Sequence, residues 1–303
     1  MIKLLIDFIQ FLYSLAPLLT ALGIWTCLAV WLSPSIKRRA RVYYAVFAVP
    51  FALVAIPFIG RLCGIELFSF NRIPFLGGIL RDYIHAGTLG FPLLILIMYM
   101  GALNPKSPPV KRLLAIRKEL SILSGFPILT HALIRVTNNF PAALRFFAGS
   151  GGAVDSAHVN SGWGAGITNF SFVLGVLLLA LFLPLWITSF DAVRKRMGAV
   201  RWKRWQRWSY GLYALLFIHA LSLQIGATLN PREGRRMPAA TVTETVRDRT
   251  RPSERSAPPA VTGFADLRVA PQTRRYIHIA SLCVIFGSYL YLRVRKEQRR
   301  RAA

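Results

Sequence analysis

Long apolar runs separated by short clusters of lysine and arginine constrain the fold of this chain more than any other feature. Seven apolar stretches each approach the ~20 residues that an α-helix needs to cross ~30 Å of hydrocarbon. The predicted spans are residues 10–32, 42–60, 83–103, 119–138, 167–190, 208–227 and 275–293. A soluble domain would not normally alternate such runs with basic clusters. We therefore predict an all-α, polytopic membrane helical bundle.

Four basic segments connect the predicted spans, and together they hold 22 of the 38 lysines and arginines. They are Lys37–Arg41, Lys106–Lys118, Arg194–Arg207 and Arg293–Arg301. With seven spans, all four segments lie on one side of the membrane, and lysine and arginine concentrate in cytoplasmic loops. The sequence therefore predicts an N-terminus outside and a C-terminus inside. The first apolar run lacks a convincing cleavage site, so we expect a retained helix.

The net charge of +26 raises the possibility of a nucleic-acid partner. However, the charges lie at the ends of apolar spans and form no continuous basic face. Topology and contact with anionic membrane lipid explain the charge better, and no nucleic-acid binding is predicted. Cys27, Cys63 and Cys283 are far apart and form no CxxCH or CxxC motif. We expect them to be small apolar packing residues.

Two histidines inside predicted spans are the main candidates for chemistry, because an ionisable side chain is expensive in the bilayer. His131 lies ~18 Å and His219 ~16 Å from the inner ends of helices that run the same way. At similar depth, two imidazoles can clamp a b-type haem between helices. Zinc is less favoured, because no third and fourth ligand appears at that depth. A hydrogen-bonded structural role for each histidine remains open.

Other polar residues lie near the predicted outer surface. Arg135 follows the first of these histidines by four residues on the same helix face, and Arg81 precedes the third span; each could neutralise a haem propionate or simply reach the headgroup layer. His85 and His278 begin the third and seventh spans, where each could serve a cofactor or have no task. His158 lies in a Gly- and Ser-rich loop and is expected to be solvated.

Three segments of the sequence resemble the ferric-reductase-like transmembrane domain family. They read RKELSILSGFPILTHALIR, IHAGTLGFPLLILI and KRMGAVRWKRWQRWSYGLYALLFIHAL. The likeness covers roughly residues 42–293 and is nearest to the haem-binding membrane subunit of the bacterial periplasmic methionine sulfoxide reductase system. It implies a six-helix core that carries electrons through b haem, located in the bacterial inner (plasma) membrane. On the matching positions, His131 and His219 are the implied ligand pair, and His85 matches a family histidine.

The sequence also departs from that family. Two-haem members place a second histidine about thirteen residues inward on each ligand helix, ~20 Å below the first. Lys118 and Gln206 occupy those positions here, so a complete inner bis-histidine site is not expected. The first span and residues 228–274 are additions to the family pattern.

These inferences predict a chain of four parts. Residues 1–41 form an extra N-terminal span with its basic loop, and 42–227 hold the core haem-binding helices. Residues 228–274 form a disordered outer loop that is poor in large apolar residues, although its nine arginines argue against an outside location. Residues 275–303 form the last span and a basic cytoplasmic tail.

The predicted function is a membrane b-type cytochrome, the electron-transfer subunit of an oxidoreductase. It would pass electrons from a separate flavoprotein or quinol donor to a redox acceptor at the outer face. The basic segment 194–207 could also dock an acidic flavoprotein or bind the phosphate of FMN or FAD. The alternatives are a non-redox transport or binding protein that uses the histidines as a polar or proton pathway, and a structural subunit that anchors a partner.

Overall fold

The computed structural model describes most of the apolar part of the chain. The described residues are 8, 11–12, 15–65, 67–68, 73, 87–149, 163–229 and 270–301. Within these ranges all regular secondary structure is α-helical. The helices are α1 Pro17–Arg38, α2 Ala40–Leu62, α3 Gly90–Met100, α4 Pro108–Ala115, α5 Arg117–Asn138, α6 Phe140–Phe147, α7 Trp163–Ile187, α8 Asp191–Met197, α9 Ala199–Gln206, α10 Ser209–Leu229 and α11 Pro271–Arg301.

Six helical segments in the described part are long and apolar enough to cross a membrane. They are Pro17–Arg38, Ala40–Gly60, Arg117–Asn138, Trp163–Ile187, Ala199–Leu229 and Gln272–Arg299. This confirms the prediction of an all-α chain with several membrane spans. The predicted span 83–103 is described only as the shorter helix α3, which has 11 residues. Which termini lie outside and inside remains a prediction.

Short helices occupy segments that the sequence suggested were connecting loops. The basic segments 106–118 and 194–207 contain α4 and the pair α8 and α9, and α6 follows directly after α5. Both α4 and α6 carry proline in the first turn, where the missing N–H costs no hydrogen bond. Each of these two helices separates apolar from polar residues on opposite faces, as expected of helices that lie along a membrane surface.

Helix α3 lies at the centre of the bundle. Its sequence, GFPLLILIMYM, is apolar on every side, and Leu93, Ile95 and Met100 are almost completely buried. A helix that is apolar all round is stable only where protein or lipid surrounds it. The side chains of α3 pack into two apolar clusters, one shared with α7, α10 and α11 and the other with α1, α4 and α5.

Glycines allow the central helices to approach closely. A Cβ on Gly226 of α10 would lie 2.2 Å from Oγ1 of Thr168 on α7. A Cβ on Gly125 of α5 would lie 1.8 Å from Nε1 of Trp186, whose indole N–H donates to the carbonyl of Ile122 at 3.1 Å. Small residues at such contacts are the usual means of packing helices in membranes.

Basic side chains attach α11 to the end of α3. Arg293 and Lys296 donate to the carbonyl oxygen of Gly101 at 3.2 and 2.9 Å. Cations are favourable at a helix C-terminus, where carbonyl groups lack helical partners. Arg293 also donates to the hydroxyl of Tyr210 and lies over its ring, 5.1 Å from the centroid. The last helix is therefore held against both α3 and α10.

Candidate functional site

A cavity of about 800 Å³ lies among the central helices and contains both candidate histidines. We call it the histidine cavity; its walls come from α1, α3, α5, α6, α7, α10 and α11. Pockets of roughly 300–1,000 Å³ are typical for small molecules and cofactors. Its apolar lining includes Leu18, Phe91, Ile128, Phe172, Leu178, Phe182, Leu216 and Leu223. Both His131 and His219 line this cavity, whereas their depth in a membrane and their role as haem ligands stay predictions.

The backbone of α7 orients the ring of His219. Its Nδ1 lies 2.7 Å from the carbonyl oxygen of Ser171, an acceptor that can pair only with a protonated nitrogen. The neutral ring therefore carries its proton on Nδ1, and Nε2 keeps a lone pair. Ser171 is fully buried, so water does not compete for this hydrogen bond. A metal-ligating histidine usually has its second nitrogen held in this way.

Gly175 lies on the same face of α7, one turn beyond Ser171. A Cβ there would lie 3.3 Å from Cε1 of His219, so the ring packs directly on the glycine backbone. Together the carbonyl and the glycine determine both the tautomer and the place of the ring.

His131 of α5 also packs against a glycine. Gly87, just before α3, has a φ of +75°, which L-residues with a side chain rarely adopt. A Cβ there would lie 3.1 Å from Nδ1 of His131. This glycine belongs to the IHAGT motif of the sequence. Each candidate ligand thus has a glycine beside its ring.

Polar side chains line part of the same cavity. Arg135 is among them, as its position one turn beyond His131 predicts. The other polar residues lining the cavity are Thr88, Asn138, Asn139, Thr168, Asn169, Gln224 and His278. The sequence placed His278 at an interface, where it could serve a cofactor or have no task; its place in this cavity depends on how α11 packs against the other helices. Arg81, His85 and His158 lie outside the described residues, so their predicted roles are not tested.

Lys118 and Gln206, at the positions where two-haem relatives would carry inner histidines, form hydrogen bonds with other side chains here. Gln206 donates from Nε2 to Oγ1 of Thr188 at 3.1 Å, while Trp202 donates to the carbonyl of the same threonine at 3.0 Å. Lys118 donates to Oδ2 of Asp191 at 2.8 Å. This hydrogen bond holds the pKa of the Asp191 carboxyl below its ordinary value. Both side chains join helices at this end of the bundle.

The donor set of the histidine cavity suits a haem better than a bare metal ion. The described residues contain no group of three or more histidines, cysteines or acidic residues able to hold an ion. Haem iron needs only two axial ligands from the protein, and His131 and His219 can provide them; His278 lines the same cavity. The glycines beside both rings and the apolar lining suit a flat, largely apolar molecule.

Comparison with known proteins matches part of the chain to one family. No curated protein and no solved structure matches it. The matched residues, 86–217, include His131 and end two residues before His219. They match the family model described as the ferric reductase like transmembrane component, which supports a ferric-reductase-like transmembrane domain in this multi-pass membrane protein.

Proposed function

We propose that this protein is a membrane b-type cytochrome that holds one haem between His131 and His219. The observation that carries the proposal is the histidine cavity itself, of about 800 Å³. Both imidazoles line it, each beside a glycine, and Ser171 holds one ring in the tautomer that an iron ligand requires. The family match suggests membrane electron transfer, which is the role proposed here.

The residues of the cavity have distinct tasks in this proposal. His131 and His219 would provide the axial nitrogens, and the bound haem would supply one-electron chemistry at its iron. Arg135 would neutralise anionic propionates, because it lines the same cavity one turn beyond His131. The apolar walls would exclude water and lower the local dielectric, which influences the reduction potential.

The electron donor and acceptor are proposed by class. A separate flavoprotein or a membrane quinol would deliver electrons, and an acceptor at the outer face would receive them. The cationic helices α8 and α9 support an acidic protein donor, because opposite charge accelerates encounter. A bound FMN or FAD, the bacterial plasma membrane and kinship with the methionine sulfoxide reductase subunit remain predictions.

A reduced-minus-oxidised difference spectrum of the purified protein tests the proposal. A bound b haem gives a Soret band, with α and β bands that sharpen on reduction with dithionite. A colourless preparation from cells supplied with a haem precursor would contradict the proposal. That result would favour the non-redox alternative, in which the polar residues of the cavity form a binding or proton pathway.

A further inference from the structure

A second cavity, of about 490 Å³, lies at the end of the bundle that carries α8 and α9. We call it the basic cavity. Five cationic side chains line it: Arg117, Lys118, Arg194, Lys203 and Arg207. Tryptophan and clustered cations are typical of the level of the lipid headgroups. The basic cavity is therefore positioned to meet the polar surface of a membrane.

Protein carboxylates compensate only part of this charge. The described residues contain three acids, Glu119, Asp191 and Glu297. The first two pair with Lys118, at 3.4 and 2.8 Å, and the third pairs with Arg301, at 3.7 Å. Asp191 also interacts with the charge of Arg194. No carboxylate of the described chain is thus left for the other three cations of the basic cavity.

Arg117, Lys203 and Arg207 are the uncompensated cations. All three are exposed, and none forms an ion pair with another described residue. Arg117 comes from α5, whereas the other two come from α9 and the residue that follows it. Three cations that line one cavity from two elements of the fold favour a compact anion with several acceptor oxygens, and phosphate is such a group.

The rest of the lining is suited to an apolar tail. Leu94 and Ile97 of α3, Phe182 and Leu185 of α7 and Leu212 of α10 contribute to the walls. Basic pockets between membrane helices at this level bind the headgroups of anionic lipids. A soluble phosphate would use the cations but gain nothing from these apolar walls.

We propose that the basic cavity binds the phosphate headgroup of an acidic phospholipid, with part of an acyl chain against its apolar wall. Neither His131 nor His219 lines this cavity, although Leu94, Phe182 and Leu212 belong to the walls of both cavities. The bound lipid would occupy the region next to Lys118 and Gln206 and join α5 to α9 through their cations.

Native mass spectrometry of the full chain in nanodiscs tests this site. The discs contain phosphatidylcholine with increasing phosphatidylglycerol, and the bound lipid is counted after release. The wild type should retain phosphatidylglycerol in preference to phosphatidylcholine. Substitution of Arg117, Lys203 or Arg207 by Gln should weaken retention about fivefold each, since a cation near anionic lipid contributes about 1 kcal/mol. The triple variant should lose the preference.

A matched triple variant controls for non-specific attraction. Lys37, Arg38 and Arg39 are also one lysine and two arginines; they are exposed and lie outside the basic cavity. Their replacement by Gln should leave retention unchanged. Equal loss in both triple variants would overturn the proposal, as would a wild type without lipid preference. Single variants keep the test valid if the cavity triple variant fails to fold.

A second experiment distinguishes a lipid headgroup from soluble phosphate as the ligand of the basic cavity. The wild type is placed in phosphatidylcholine nanodiscs, and inorganic phosphate is added at millimolar concentration. The proposal predicts no saturable binding of the free anion. Saturable binding that depends on Arg117, Lys203 and Arg207, without a preference for phosphatidylglycerol, would overturn the lipid as the source of the phosphate. Haem content measured on the same samples shows separately whether the proposed cytochrome function holds.

Discussion

Nδ1 of His219 lies 2.7 Å from the backbone carbonyl oxygen of Ser171, one turn before the glycine on which the same ring packs. This relationship makes α7 the element that positions His219, although α7 carries no candidate ligand itself. Ligand geometry should therefore respond to changes on α7 that leave both histidines in place.

Replacing Gly175 with Ala tests that dependence. The new methyl group would lie 3.3 Å from Cε1 of His219, so the ring must move by a few tenths of an ångström. We expect haem affinity to fall on the order of 10-fold, as when groups that orient a ligand are altered. Haem titration of the apoprotein measures the effect.

Gly166 provides the matched control on the same helix. A Cβ there meets nothing within 4 Å, so Gly166→Ala should bind haem like the wild type. Equal losses in the two variants would show that the effect comes from α7 as a whole and not from contact with the ring.

Gly87→Ala should affect the other ring. The substitution forces a side chain into positive φ and brings a methyl group 3.1 Å from Nδ1 of His131. The backbone alone should cost about 1 kcal/mol of stability. Gly64 has a nearly identical φ of +76° and nothing within 4 Å of an added Cβ. Both alanine variants should lose similar stability, but only Gly87→Ala should change the haem spectrum.

Gly125→Ala should destabilise the bundle without altering the ligands. Its methyl group would overlap the indole of Trp186, 1.8 Å from Nε1, and overpacking of this kind costs typically 1–3 kcal/mol. Thermal unfolding in detergent should show a lower midpoint. Gly23→Ala meets nothing within 4 Å and should be neutral or slightly stabilising, because alanine favours helix. A Gly125→Ala variant as stable as the wild type would contradict the close packing of α5 and α7.

The pairing of Asp191 with Lys118 predicts that the free energy of unfolding depends slightly on pH in the acidic range. The folded protein holds the pKa of this carboxyl below its ordinary value of 3.8, chiefly through the hydrogen bond from Lys118. The stabilisation is therefore complete above that value and is lost as pH falls through the lower, folded pKa. Its size is modest, because the Asp191 side chain is 56% exposed and water screens the pair.

Unfolding of wild type and Asp191→Asn across pH measures this contribution. The difference between them should stay constant near neutral pH and shrink below about pH 4. A difference that grows as the solution becomes more acidic would have the wrong sign and would contradict the pairing.

Hydropathy predicted the helices that carry the candidate site. The apolar run before Asn138 and the run after Trp208 are the helices α5 and α10 in the structure. Both could be predicted, because the length of an apolar run that can span a membrane is read from the local sequence alone. The rise of an α-helix placed His131 and His219 at similar distances from the inner ends of their helices, and both line one cavity; their pairing as ligands stays a prediction. The position of Arg135 beside His131 was predicted from the spacing of four residues, which places both side chains on the same face of α5.

Contacts between distant segments could not be predicted in this way. The approach of His278 to the cavity depends on how α11 packs, and the hydrogen bond from His219 depends on the rotation of α7. The sequence did not indicate that Gly175 contacts His219, because glycine is common in apolar membrane helices. Of the span expected at 83–103, the described part shows helix α3 from Gly90 to Met100, and residues 83–86 lie outside the described residues.

Haem-to-protein stoichiometry in the wild type and three histidine variants tests the central claim most directly. His131→Ala and His219→Ala each remove one proposed ligand, whereas His278→Ala removes a histidine that lines the same cavity without a ligand role. We predict one haem per chain in the wild type and in His278→Ala, with a spectrum unchanged in the latter. We predict loss of haem, or a change of its ligand spectrum, in each of the other two. Full occupancy with an unchanged spectrum in either His131→Ala or His219→Ala would contradict the account.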